Sequence, residues 1–123
     1  MRGDSRETKQ RLMRDENDSL ARRIRASLAR LGGVEEKRMF GGLAFMVDGK
    51  MCVTVRDERI MLRIDPADHD AAVARPGCEP MVMRGREIRG YVRVGASALR
   101  THAAFDRWMR MAIEYNPRAP RRR

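Results

Sequence analysis

The sequence predicts an α+β fold, a two-layer α/β sandwich in which helices pack on one face of a mainly antiparallel sheet. Short apolar runs lie on both sides of Asp48-Gly49, a dipeptide that favours the type I′ turn between antiparallel strands. Apolar residues at helical spacing occur near both ends of the chain, and a shorter helical stretch lies between them. The predicted order of elements is therefore α-β-β-β-α-β-β-α.

The first helix follows a polar segment. Residues 1–16 carry both charge signs and few large apolar side chains, which is typical of a flexible or partly helical extension. From Asp18 or Ser19, either of which is a good N-cap, apolar residues recur at steps of three and four as far as Leu31. Gly32-Gly33 then ends the helix. We place a single folded domain at residues 17–116.

The turn at Asp48-Gly49 also predicts which side chains share a face of the sheet. With Val47 opposite Lys50, the face expected to pack against the helices is wholly apolar and contains Gly42, Ala44, Met46, Met51, Val53 and Val55. The next strand adds Ile60, Leu62 and Ile64 to that face. The opposite face then carries four large apolar side chains that the helices would leave uncovered, namely Leu43, Phe45, Val47 and Met61.

The second half of the chain completes the sheet. Asp65-Pro66 predicts a short capped helix that stops before Pro76-Gly77. Two strands follow, at residues 80–84 and 87–94. The last helix begins near Thr101 and presents a broad apolar stripe up to Tyr115. Residues 117–123 contain four arginines and no large apolar side chain, so we expect a disordered Arg-rich tail.

One stretch of the chain resembles a known family. The N-terminal domain of the TfoX/Sxy family, the bacterial competence regulators, has a signature similar to Glu36-Lys37-Arg38-Met39-Phe40-Gly41-Gly42-Leu43-Ala44-Phe45-Met46-Val47-Asp48-Gly49. Further pieces follow in the same order, namely Leu62-Arg63-Ile64, Ala74-Arg75-Pro76-Gly77, Arg89-Gly90-Tyr91-Val92 and Trp108. The resemblance extends over residues 20–115. It implies a two-layer α+β fold and a role in regulating DNA uptake, and it brings no catalytic residues with it.

The charge of the chain suggests an alternative partner. The formal net charge is +10, which raises the question of nucleic-acid binding. Residues 118–123 contribute +4 of this excess, and residues 17–116 contribute only +5. Contacts to nucleic acid would therefore come from the first helix and the tail, through Arg22, Arg23, Arg118, Arg121, Arg122 and Arg123.

The sequence offers little for catalysis, metal binding or membrane insertion. Cys52 and Cys78 have no metal-ligand spacing, so we expect reduced thiols. His69 lies among aspartates that a helix N-terminus already explains, so we predict no metal and no cofactor. The chain has no run of about 18 apolar residues that could span a membrane, and we expect a cytoplasmic protein.

These observations favour a non-enzymatic regulatory or interaction module. Its expected contact face consists of Leu43, Phe45, Val47 and Met61, and the expected occupant is a protein partner or a second copy in a homodimer. The alternative is a nucleic-acid-binding accessory protein that uses the Arg-rich first helix and the tail.

Overall fold

A computed structural model of the protein describes residues 4–39 and 41–121. The helices are α1 (Asp4–Leu28), α2 (His69–Val73) and α3 (His102–Tyr115). The strands are β1 (Val34–Met39), β2 (Gly42–Val47), β3 (Lys50–Arg56), β4 (Arg59–Arg63), β5 (Cys78–Met83) and β6 (Arg86–Gly95). The α+β class and the predicted order of helices and strands are confirmed, and the structure adds the strand β1.

The strands form one antiparallel sheet in the order β1-β2-β3-β4-β6-β5. The helices pack on one face of it, so the domain has two layers. The core between the layers contains Ile24 and Leu28 of α1, Phe105 and Met109 of α3, and apolar side chains of the central strands, including Val53, Leu62 and Val92. The opposite face of the sheet, called the outer face below, has no helix of the described chain against it.

The edge strand β1 was not predicted because its sequence has no apolar alternation. Four of its six residues are charged, and the strand is held by its ladder with β2. Glu36 also accepts a hydrogen bond from the Arg25 guanidinium of α1, at 2.9 Å between Nη2 and Oε1. This contact lowers the pKa of Glu36. Charged side chains on an edge strand also discourage unwanted pairing with other chains.

Helix α1 begins earlier than the caps at Asp18 and Ser19 suggested. It runs without a break from Asp4 to Leu28, because the stretch contains no Gly or Pro and many good helix formers. Residues 4–16, predicted to be flexible or partly helical, are thus the first half of the helix. Asn17 marks where α1 meets the sheet, since its Oδ1 accepts a hydrogen bond from the Glu58 backbone N–H at 2.7 Å.

The predicted face assignment of β2 is wrong. The type I′ turn is confirmed, because Asp48 and Gly49 both have positive φ, but a β-bulge between Phe45 and Met46 shifts the register. Phe45 is therefore opposite Val53 rather than Cys52, and it points to the helices. As a result Phe45 and Val47 are buried in the core, while Gly42, Ala44 and Met46 belong to the outer face.

The prediction of a disordered tail is wrong for residues 117–121. Lys50 is buried, and its Nζ donates to the carbonyl oxygens of Asn116 at 2.7 Å and Ala119 at 3.1 Å. Arg63 donates from Nη2 to the Pro120 carbonyl at 2.9 Å. Arg121 donates to the Asp48 carbonyl at 2.8 Å. These contacts fix residues 116–121 across the end of the sheet that carries the β2–β3 turn. We call this segment the C-terminal strap.

Replacing Gly42 with Ala should destabilise the fold. The added Cβ would lie 2.5 Å from the Val55 carbonyl oxygen and 2.8 Å from the Arg56 Cβ, so strand β3 would have to move. Overpacking of this kind costs about 1–3 kcal/mol, to be measured by urea denaturation. Gly95→Ala is the matched control, because its Cβ meets nothing within 4 Å. Equal stability of the two variants would contradict the close approach of β2 and β3.

Deleting residues 118–123 should destabilise the protein, because Lys50 loses the Ala119 acceptor and Arg63 loses the Pro120 acceptor. Leaving buried charged donors partly unpaired costs about 1–3 kcal/mol, again measured by urea denaturation. Arg121→Ala removes two exposed contacts to Asp48, the ion pair and the hydrogen bond to its carbonyl, and should change stability by less than about 1 kcal/mol. A truncated protein as stable as the full chain would show that the contacts of residues 118–121 do not stabilise the fold.

Candidate functional site

The outer face carries a row of directly paired residues that crosses all six strands. In strand order the row is Lys37, Ala44, Thr54, Met61, Arg93 and Glu79. Its middle is apolar and its ends are charged. Side chains alternate along a strand, so the residues two positions before and after each member of the row also lie on the outer face. A bulge interrupts this alternation.

Methionine dominates the outer face around that row. A cavity of about 430 Å³ opens there, and residues from every strand line it. Five methionines line it, one or two from each of four strands, namely Met39, Met51, Met61, Met81 and Met83. We call this cavity the methionine groove. Val82 and Met83 beside it, near the tip of the β5–β6 hairpin, are 56% and 53% exposed, so the groove presents apolar surface to solvent.

Arginines surround the methionines. The groove is also lined by Arg56, Arg59 and Arg93, with Asp57 as the acidic lining residue. Arg59 and Arg93 approach the same carboxylate oxygen of Glu79, at 3.9 and 3.5 Å. Within the described chain, the buried Nε of Arg93 has no hydrogen-bond partner. The groove therefore combines apolar walls with more positive than negative charge.

The predicted contact residues divide between the two faces. Met61 lies in the methionine groove, and Leu43 borders it while also packing on the core. Phe45 and Val47 lie in the core and cannot contact a partner on the outer face. The prediction missed Met39, Met51, Met81 and Met83. The high methionine count of the chain, ten residues, was the available signal, but the bulge decides where these residues point.

Three of the four described arginines that were predicted to contact nucleic acid are engaged within the chain. Arg23 lies over the Phe105 ring at 4.2 Å from its centroid, whereas Arg22 is exposed. Arg118 pairs with Asp65 at 2.8 Å and lowers the pKa of that carboxyl. Arg121 pairs with Asp48. Arg122 and Arg123 lie outside the described residues.

A second cavity, of about 490 Å³, lies between α1 and α3. Its charged lining is mixed, with Arg23, Arg30 and Arg110 facing Asp106 and Glu114. His102 approaches Asp106 at 3.4 Å and is largely exposed. Phe105, Met109 and Ile113 also line it, but this cavity is less apolar than the methionine groove, and its opposite charges come closer to balance.

The buried histidine has a structural role. Nδ1 of His69 accepts a hydrogen bond from the Gly90 backbone N–H at 2.9 Å, and Nε2 lies 2.7 Å from a Glu87 carboxylate oxygen. Because Nδ1 accepts, Nε2 carries the proton and donates to Glu87. Both ring nitrogens are thus used to join α2 to β6. In the described ranges, no three His, Cys, Asp or Glu side chains are grouped in a way that could hold a metal ion.

The two cysteines are free thiols. Burial raises the pKa of Cys52 from 9.0 to about 11. It also raises the pKa of Cys78 to about 11, despite the opposing effect of Arg75. A thiol that holds its proton at neutral pH is a weak nucleophile, so the geometry of these residues fits packing better than chemistry.

The fold and the outer face define a small two-layer α+β domain in which the described helices cover one side of the sheet. The family model for the TfoX N-terminal domain matches residues 26–115, most of the 123-residue chain. The chain belongs to this family, as the sequence predicted.

A search of curated proteins and a search of solved structures each gave no match. None of the helices in the described ranges is long and apolar enough to cross a membrane.

The raised pKa of Cys52 predicts a loss of stability at alkaline pH. The unfolded thiol ionises near 9.0 and the folded one near 11, so its contribution is complete below pH 9 and is lost as the pH rises towards 11. Between pH 8 and 10 the wild type should lose about 1 kcal/mol more than Cys52→Ala, measured by urea denaturation. Equal losses in the two proteins would mean that Cys52 ionises normally in the fold.

Proposed function

We propose that this domain is a non-enzymatic regulatory module that influences DNA uptake by binding another protein on its outer face. Membership of the TfoX N-terminal domain family supports the link to competence. The observation that carries the proposal is the methionine groove, an apolar surface on the side of the sheet that no described helix covers. Exposed apolar patches of this kind mark interaction sites on soluble proteins.

The chemistry of the groove supports binding rather than catalysis. Methionine thioethers and the Thr54 hydroxyl line its walls, together with three arginines and Asp57. Neither described histidine is among its lining residues. Cys52 points to the core from β3 and holds its proton at neutral pH. The groove therefore has the composition of a docking surface.

The nucleic-acid alternative has weaker support. Arg118 and Arg121 of the predicted basic tail form ion pairs with Asp65 and Asp48. Arg23 of α1 is stacked on Phe105. A phosphate backbone would have to compete with these contacts, whereas the methionine groove has no competing occupant among the described residues.

Replacing Met61 with Glu should abolish the regulatory effect while leaving the fold intact. Met61 lies at the centre of the outer face, opposite Thr54 and Arg93, and a carboxylate there would have to be desolvated when a partner binds. In the native host, transcript levels of DNA-uptake genes should fall to those of a strain lacking the gene. The urea midpoint of the purified variant verifies that it is folded.

The matched control is Arg107→Gln, an exposed residue of α3 on the other side of the domain. It changes the net charge by the same amount as Met61→Glu and should leave transcript levels unchanged. If a folded Met61→Glu protein regulates as well as the wild type, the outer face is not the functional surface.

A further inference from the structure

We propose that the methionine groove binds an acidic amphipathic helix of a partner protein. This inference rests on the proposed function, which requires only that some protein occupies the outer face. It adds the shape of the partner segment and the sign of its charge. Three properties of the groove support it, namely its length, the chemistry of its walls and the charge around it.

The length of the groove suits a helix. Its lining extends from Met39 on the edge strand β1 to Met83 on the opposite edge strand β5. Six strands separated by about 4.8 Å span about 24 Å, which is the length of a helix of about 16 residues. A short-chain amphiphile would fill only part of such a surface. An extended strand would instead pair with a sheet edge, where β1 is charged and β5 contains Pro80.

The methionines suit the apolar stripe of a helix. Their side chains are unbranched and adapt to large apolar residues presented at positions i, i+3, i+4 and i+7. Met51 and Met61 are half-buried on adjacent central strands, and Met39 and Met83 are more exposed at the two ends. The groove thus offers apolar contacts in its middle and at both ends.

The charge around the groove selects an acidic partner. Arg59 and Arg93 share the single carboxylate of Glu79 at distances beyond good hydrogen-bond length. The buried Nε of Arg93 has no acceptor in the described chain. Exposed Arg84 and Arg86 add positive charge at the tip of the β5–β6 hairpin. Acidic residues that flank the apolar stripe of a helix would pair with the partly exposed guanidinium groups of Arg59 and Arg93.

The same charge disfavours a second copy as the occupant. In a symmetric dimer the outer face would meet itself, and the arginines of one protomer would approach those of its partner. Like charges brought together at an interface cost free energy. The homodimer expected from the sequence also relied on Phe45 and Val47, which are in the core.

The test uses fluorescence anisotropy with the full chain and two synthetic probes. Both are fluorescein-labelled peptides of about 16 residues, with leucines at i, i+3, i+4 and i+7 repeats. One has glutamates at the remaining positions and the other has lysines. The acidic peptide should bind at least about tenfold more tightly at low salt, a difference of about 1.4 kcal/mol. The preference should shrink as salt rises.

Variants locate the binding. Met61→Glu should remove binding of the acidic peptide. Arg93→Gln should weaken it by about three- to tenfold and reduce its salt dependence. Arg107→Gln should change neither the affinity for the acidic peptide nor its salt dependence, because Arg107 lies on α3 away from the groove. Sedimentation velocity of the wild type at several concentrations accompanies these measurements, and dodecanoate serves as a competitor.

Several outcomes would overturn the inference. Equal or tighter binding of the basic peptide would show that the arginines do not select the partner. Binding of dodecanoate without binding of the acidic peptide would make the groove a site for a small amphiphile. A wild-type dimer that Met61→Glu dissociates would make the occupant a second copy. After the first outcome, loss of DNA-uptake gene expression in Met61→Glu would still support a protein partner on the outer face, so the inference can fail while the proposed function stands. The amphiphile and dimer outcomes would overturn both.

Discussion

The β-bulge between Phe45 and Met46 determines what each face of the sheet presents. It inserts Cys52 as an extra residue of β3, so that Phe45 pairs with Val53 while Met46 pairs with Met51. Cys52 and Val53 are consecutive, yet both are buried in the core. Burying a side chain such as Phe45 or Val53 contributes about 1.5–3 kcal/mol. The helix side therefore gains the branched and aromatic residues, and the outer face is left with methionines and small residues.

The strap at the C-terminal end of the fold depends on that same hairpin. Lys50 opens β3 opposite Val47, and from this position its ammonium reaches the Asn116 and Ala119 carbonyls beyond α3. The Asn116 amide in turn donates to the Val47 carbonyl at 3.3 Å. A buried lysine is costly unless its donors are satisfied. The carbonyl groups at the end of α3 satisfy it, and they are favourable positions for a cation.

Local signals in the sequence predict much of this fold, and long-range contacts explain the rest. The Asp48-Gly49 turn is predictable because both residues must adopt positive φ, as they do. The stripe of α3 is predictable from its spacing, and its members Phe105 and Trp108 are buried. The bulge is not predictable, because the residues of β2 are apolar on both faces and alternation gives no preference.

The C-terminal strap is a second feature that local sequence signals do not predict. Residues 117–121 have the composition of a disordered tail, but the contacts that fix them come from side chains far away in sequence. Lys50 is 69 residues from Ala119, and Arg63 is 57 residues from Pro120. The candidate site was likewise only partly predictable. Met61 follows from strand alternation, whereas Met81 and Met83 reach the groove through a second register shift, between Pro80 and Met81.

The distribution of charge says more about a partner than its total does. At α1 and at the strap, three basic residues have individual acidic partners, in the pairs Arg25–Glu36, Arg118–Asp65 and Arg121–Asp48. Beside the methionine groove, Arg59 and Arg93 share one glutamate. An excess of positive charge therefore adjoins the exposed apolar surface of the groove. A partner that buries both must bring apolar side chains and carboxylates together, which nucleic acid does not do and an acidic amphipathic helix does.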